Sequence, residues 1–199
     1  MSDKPKTSRV KLKESVVLSD DWATLTRHTF EYERRDGQRE TQQREVYDRG
    51  DATAVIPYDI QRKTVLLVRQ LRLPIFLNEG VEGLIEACAG VREHGEDPVT
   101  CIEREALEEL GYRLRDTQFV ARAYSSPGSV NECVWCYTAH YSPEDRANAG
   151  GGAADEGEDI EVLELPLEEA VSMIATGAIM DMKTIIILQH LDQTLAGRS

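Results

Sequence analysis

Basic residues are scarce in this chain: 23 Lys and Arg stand against 36 Asp and Glu, a formal net charge of −13. Holding a nucleic-acid backbone takes clustered cations, so no nucleic-acid partner is expected. Cysteines are few, at positions 88, 101, 133 and 136, and do not make a disulfide scaffold. A reducing, cytoplasmic setting is expected. Long apolar runs are missing too. Ile185-Ile186-Ile187-Leu188 falls far short of the roughly 20 residues a bilayer span needs, so no membrane partner is expected. Nor do Met1-Ser2-Asp3-Lys4-Pro5-Lys6 lead into an apolar stretch, so a secretory signal is not expected.

What is present is ordinary globular material, 41% hydrophobic and 30% charged. Its 199 residues suit one generous domain, or a domain of about 150 residues with an appendage. Acid is unevenly placed. Between Glu144 and Glu169 there are ten Asp or Glu and a single base, Arg146. That window is either a solvated loop or a store of metal ligands.

Residues 1–14 read as a mobile polar tail. Residues 15–48 read as an N-terminal antiparallel β subdomain. His28, Phe30 and Tyr32 share one strand face, and Asp36-Gly37 signals a hairpin turn to a second strand near Val46-Tyr47. This unit has few large apolar residues, so it must pack on the rest of the chain or on a second subunit. Residues 49–199 form the main domain. Strands are expected at Ala54–Ile56, Val65–Val68, Leu84–Cys88, 117–124, 131–141 and Ile160–Leu165. Asp97-Pro98 opens a helix whose buried stripe is Val99, Ile102, Ala106 and Leu110 and which Gly111 closes. Helices at about 166–176 and 182–195 finish the chain. The pattern predicts an α+β fold or three-layer sandwich.

Glu105, Glu108 and Glu109 lie three and four residues apart on the central helix, which places them together on its polar face. Only Arg104 is at hand to compensate them. Clustered carboxylates destabilise a helix, yet they are the oxygen ligands that Mg²⁺ requires. The wider spacing is more telling than the cluster. Gly90, five residues, Glu96, seven residues and Arg104-Glu105-Ala106-Leu107-Glu108-Glu109-Leu110-Gly111-Tyr112 form the string G-x5-E-x7-R-E-U-x-E-E-x-G-U, with U apolar.

This string is the Nudix box (90–112), and the chain resembles the Nudix hydrolases. The resemblance implies a Nudix fold, an α/β/α sandwich with a mixed β-sheet, plus the N-terminal antiparallel β subdomain. It implies Mg²⁺ as cofactor, with Mn²⁺ as substitute, held by the Ala89 carbonyl and by Glu105, Glu109 and Glu158. Glu156 and Asp159 are fallback choices for the loop position. Arg104 orients the carboxylates, Glu96 fixes the loop, and either Glu158 or Glu108 serves as general base. Arg104, Glu105, Glu108, Glu109 and Glu158 are thus the expected catalytic set.

Pro127, sixteen residues after Gly111, resembles the nucleotide-sugar branch of the family, which includes ADP-ribose pyrophosphatases. Arg44–Gly50, Val68–Arg72, Leu84–Gly90, Ser126–Gly128, Arg146–Gly152 and Glu158–Glu164 resemble a narrower group, bacterial GDP-mannose pyrophosphatases of the NudK type. That resemblance implies GDP-mannose cleaved to GMP and mannose 1-phosphate, with ADP-ribose cleaved to AMP and ribose 5-phosphate as the alternative. A non-catalytic nucleotide-sugar sensor is the reading from another class. The intact Arg104 and glutamate set argues against it.

The resemblance also implies a homodimer whose N-terminal strands cross onto the partner and help bind its nucleotide. Expected substrate contacts are Trp22, Arg44, Glu45, Arg49, Arg72, Ala89, Gly90, Val91, Glu109, Glu132, Glu158 and Lys183. Arg49 and Arg72 are the phosphate contacts, because guanidinium forks match phosphate oxygens. Trp22 either stacks on the base or packs at the dimer edge. Cys133 and Cys136, three apart on a strand, point to opposite faces and read as buried side chains, not as a metal or redox pair. The four histidines have no metal-ligand spacing.

Overall fold

The structure, a computed structural model, describes residues 8–153 and 157–197. By internal contacts the chain divides into two units, residues 1–50 with 126–132, and residues 51–125 with 133–199.

The first unit is a three-stranded antiparallel sheet in the order β1 (Val10–Asp20), β2 (Thr24–Glu33), β3 (Arg39–Asp48). The hairpin between β2 and β3 turns at Asp36-Gly37 as expected, where Gln38 N–H donates to Asp36 Oδ1 at 3.0 Å. β1 begins inside the segment read as a tail. Its first residues pair with the end of β2, Val10 opposite Tyr32, and every residue of the strand is exposed. Backbone pairing and an exposed ion pair, Lys13 Nζ to Glu31 Oε1 at 2.8 Å, hold that part of β1. No buried face imposed a pattern that sequence could reveal. The loop 126–132 joins this unit through hydrogen bonds from Tyr47 N–H to Ser129 O (2.8 Å) and from Asn131 N–H to Tyr47 O (3.3 Å).

The second unit is built on a mixed sheet with the main path β10–β5–β4–β9–β8. Its strands are β4 (Ala52–Asp59), β5 (Thr64–Gln70), β6 (Leu84–Glu86), β7 (Cys88–Val91), β8 (Arg115–Tyr124), β9 (Cys133–His140) and β10 (Glu161–Pro166). β4 runs parallel to β9, while the other pairings are antiparallel. β4 is buried along its whole length, and its side chains alternate between two cores. Ala54 and Ile56 pack with Leu67, Ile187, Leu188 and Leu191 on one face; Val55 packs with Leu66, Val68, Ile102 and Leu110 on the other. The first face takes α3 (Leu167–Thr176) and α4 (Met182–Ala196); the second takes α2 (Pro98–Glu105). This is a three-layer sandwich, one of the two readings the pattern left open, and the α/β/α arrangement that the resemblance implies.

Two local departures bear on the site. The strand expected at 84–88 is broken at Ala87, whose N–H donates to Thr184 Oγ1 at 2.7 Å instead of to a strand neighbour. A short helix, α1 (Leu73–Glu79), fills a stretch with no expected element. It buries no residue and so carries no apolar stripe to read.

Candidate active site

Asp97 starts the central helix by accepting from the N–H groups of Val99 and Thr100, at 3.0 and 3.2 Å. Cys101, Ile102, Ala106 and Leu110 anchor it on the sheet. Regular α-geometry stops at Glu105, and residues Ala106–Leu110 form a π turn that ends at Gly111, where φ is 79°. Widened turns of this kind recur at functional sites.

The three glutamates lie close together as the spacing expects, but they differ in burial and do not share one polar face. Glu109 is 1% exposed and lies with Ala106 and Leu110 on the buried side. Its Oε2 accepts from Ala89 N–H at 3.1 Å. Glu105 is half-buried against β7, and a Cβ built on Gly90 would stand 1.9 Å from its carboxylate. Only glycine leaves that space. Glu108 points outward, 43% exposed.

Arg104 ties the face together. Its Nη1 lies 2.8 Å from Glu105 Oε1 and 3.1 Å from Glu108 Oε2, and its Nε lies 3.5 Å from Glu96 Oε1. Glu96 in turn accepts from Glu93 N–H at 3.0 Å, closing the loop ahead of the helix. That backbone donor, with Arg104, holds the Glu96 carboxyl below its ordinary range.

Burial drives the Glu109 carboxyl up to about 8, and the charges of Glu105 and Glu158 add to the rise. Burial likewise raises Glu105, with Glu108 and Glu158 as repelling neighbours and Arg104 opposing them. The loop residue Glu158 thus lies within the field of both helix carboxylates, and its Oε2 accepts from Ala153 N–H at 2.9 Å. Asp159 is exposed, and Glu156 lies outside the described residues.

Among the described residues, no three His, Cys, Asp or Glu side chains already converge on a common metal position. The donor set nonetheless fits a hard cation. It offers three neighbouring carboxylates, two of them raised by burial and mutual repulsion, with Glu105 seated against the β7 backbone at Gly90. Cys88 does not compete as a thiolate ligand, because burial holds its thiol well above the usual range.

The other expected residues fall into two groups. In the first unit, the Arg49 guanidinium sits 5.2 Å from the ring centre of Trp22, and Arg49 Nε lies 3.3 Å from Glu132 Oε1. Trp22 is 74% exposed. Arg44 and Glu45 are exposed neighbours on β3, opposite His28 and Arg27 of β2. In the second unit, Arg72 and Lys183 are both paired with Glu86, a residue for which sequence suggested no role. All four cysteines are free and buried, as expected for Cys133 and Cys136.

The NUDIX domain model matches residues 48–185 of the chain. The chain belongs to the Nudix family. Residues 9–47 match a second model, the GDP-mannose pyrophosphatase NudK N-terminal domain. Curated relatives include a GDP-mannose pyrophosphatase of Escherichia coli O1:K1, 43% identical over 94% of this chain and 97% of its own length. The GDP-mannose pyrophosphatase of Escherichia coli strain K12 is 44% identical over 93% of this chain and 96% of its own. A solved structure titled as an ADP compounds hydrolase matches with a TM-score of 0.73, covering 98% of this chain and 99% of that one. At 16% identity this likeness shows the fold alone. This Nudix chain is a pyrophosphatase enzyme.

Proposed function

We propose that this Nudix enzyme is a Mg²⁺-dependent pyrophosphatase of nucleoside diphosphate sugars, cleaving GDP-mannose to GMP and mannose 1-phosphate. The observation that carries the reading is the buried Glu109, 1% exposed, beside the half-buried Glu105 and within reach of Glu158's charge. Such a carboxylate group is costly unless a cation completes it. The curated relatives named for GDP-mannose support the choice of substrate.

In this reading Glu105, Glu109, Glu158 and the Ala89 carbonyl hold Mg²⁺, with Mn²⁺ as a substitute. Bound there, the metal neutralises the diphosphate and acidifies the attacking water. Arg104 keeps Glu105 aimed at the site through their 2.8 Å pair. Glu158 or Glu108 takes the proton from the water as general base. Backbone at Ala89, Gly90 and Val91 lines the approach to the diphosphate. Arg72 meets a phosphate. Lys183 lies beside it.

The nucleotide end falls to the first unit. Trp22 offers an open indole face for base stacking, and Arg49, Glu132, Arg44 and Glu45 supply polar contacts. We assign these contacts to a partner's substrate in a homodimer. β1 leaves Val10, Leu12, Val16, Val17 and Leu18 exposed on a sheet with no core of its own, which is what a strand set made for a second copy requires. No helix among the described residues is long and apolar enough to cross a membrane, and the free buried cysteines suit a reducing cytoplasm.

The test is turnover of Glu105→Gln and Glu109→Gln on GDP-mannose with Mg²⁺, alongside nucleotide binding. Lost turnover with binding retained supports the enzyme; undiminished turnover removes this mechanism.

A further inference from the structure

Arg72 and Lys183 come from distant parts of the chain, one at the entry to α1 and the other in the first turn of α4. A single carboxylate holds both. Glu86 of β6 is 1% exposed; its Oε1 accepts from Arg72 Nε at 2.6 Å and its Oε2 from Lys183 Nζ at 2.6 Å. The cluster extends through Lys183 to Asp181 at 3.0 Å. Asp181 caps α4 by accepting from Thr184 N–H, and Thr184 Oγ1 accepts from the N–H of Ala87. The Glu86 side chain and the peptide that follows it are therefore both pinned to the start of α4.

The way Arg72 is held is informative. An arginine whose task is a structural ion pair commonly engages a carboxylate with its two-pronged face. Here Glu86 takes Nε, and among the described residues neither Nη atom has a partner. The guanidinium is anchored with its outer donors open, within the electrostatic reach of Glu109 in the carboxylate cluster. Open, pre-aimed guanidinium donors match phosphate oxygens.

We propose that Glu86 is a positioning residue for the substrate phosphates: it fixes Arg72 by Nε, and Lys183 beside it, so that the open donors of Arg72 meet the diphosphate already oriented. This deepens the pyrophosphatase reading and rests on it. Glu86 touches no substrate. It acts through the two cations.

The test is steady-state kinetics on GDP-mannose with Mg²⁺ for the intact protein, Glu86→Gln, Arg72→Ala and the double variant, with melting temperatures alongside. Losing a contact made equally in ground and transition states raises KM more than it lowers kcat. For Glu86→Gln we expect KM to rise about 10-fold with kcat within about 3-fold, and in the Arg72→Ala background a clearly smaller further rise, the part carried by Lys183. An unchanged KM, or losses that multiply in the double variant, overturns the proposal. If Glu86→Gln does not fold, Glu86→Asp keeps the charge and withdraws the carboxylate by one methylene. The same KM-weighted loss is expected there, and an unaltered KM overturns the proposal. Failure of the intact protein to cleave any nucleoside diphosphate sugar sinks the function and this inference together. Cleavage by the intact protein with indifferent Glu86 variants sinks this inference alone.

Discussion

The carboxylate of Glu105 occupies the space into which a side chain at Gly90 would grow, with Glu105 Cδ and Oε1 each 1.9 Å from a Cβ placed there. A strand residue and a helix residue thus share one position, which binds the loop to the helix that follows it. Gly90→Ala must push Glu105 aside. The obstacle is the free end of a side chain, so the fold should survive with a melting temperature close to the original. Turnover should fall about 100-fold, the cost of misplacing a reacting group by an ångström or so. Calorimetry and kinetics on one preparation check this; a matched loss of folding and activity contradicts it.

Glu105→Gln and Glu109→Gln should each lower kcat/KM by about 100-fold or more, equivalent to roughly 2.7 kcal/mol of lost transition-state stabilisation. Glu108→Gln affects a more exposed residue and separates the two candidates for general base. If Glu108 is the base, its loss should flatten the rise of kcat with pH on the acidic limb. If Glu158 is the base, the Glu158→Gln variant should show that flattening instead.

The metal-free protein should lose stability as pH rises. Glu109's folded value of about 8 lies above its ordinary 4.5, so the native state retains a proton that the unfolded chain has released. Its contribution is fully present below about 4.5 and is lost as pH climbs through about 8. Melting temperatures in chelator across that window should fall more for the original protein than for Glu109→Gln. Added Mg²⁺ should displace the proton, so its stabilisation should grow with pH. A Glu109→Gln curve parallel to the original would contradict the assignment.

Asp97→Ala removes the cap that accepts from Val99 and Thr100 N–H and should cost about 1 kcal/mol in urea unfolding. Because the helix also rests on Cys101, Ile102, Ala106 and Leu110, kcat should change little once the protein is folded.

Trp22→Ala removes a side chain that is 74% exposed, so the fold should be indifferent. If the ring stacks on the base, KM should rise about 10-fold, in line with base–aromatic stacking of 1–3 kcal/mol. If it packs at a dimer edge instead, light scattering should show the dimer weakening at unchanged KM.

Much of this was legible in the sequence because the relevant forces are local. The unbroken apolar runs Ala54–Ile56 and Val65–Val68 mark strands buried on both faces, and both strands stand where those runs place them. Asp97-Pro98 starts the helix, and Gly111 ends it. The burial of Glu109 went unread because a glutamate reads as polar surface, although it stands seven residues after the buried Ile102 and so beside the apolar stripe. Helix α1 and the first residues of β1 bury nothing and so leave no pattern. The grip of Glu86 on Arg72 and Lys183 arises only when β6, α1 and α4 pack together, and no motif spans that distance.

The central claim is tested most directly by kcat/KM on GDP-mannose and on ADP-ribose, each with Mg²⁺ and again after chelation. GDP-mannose should be cleaved the faster, to GMP and mannose 1-phosphate, with turnover lost in chelator and restored by Mg²⁺. Undiminished cleavage without a divalent cation, or no cleavage of either compound with one, would contradict the claim.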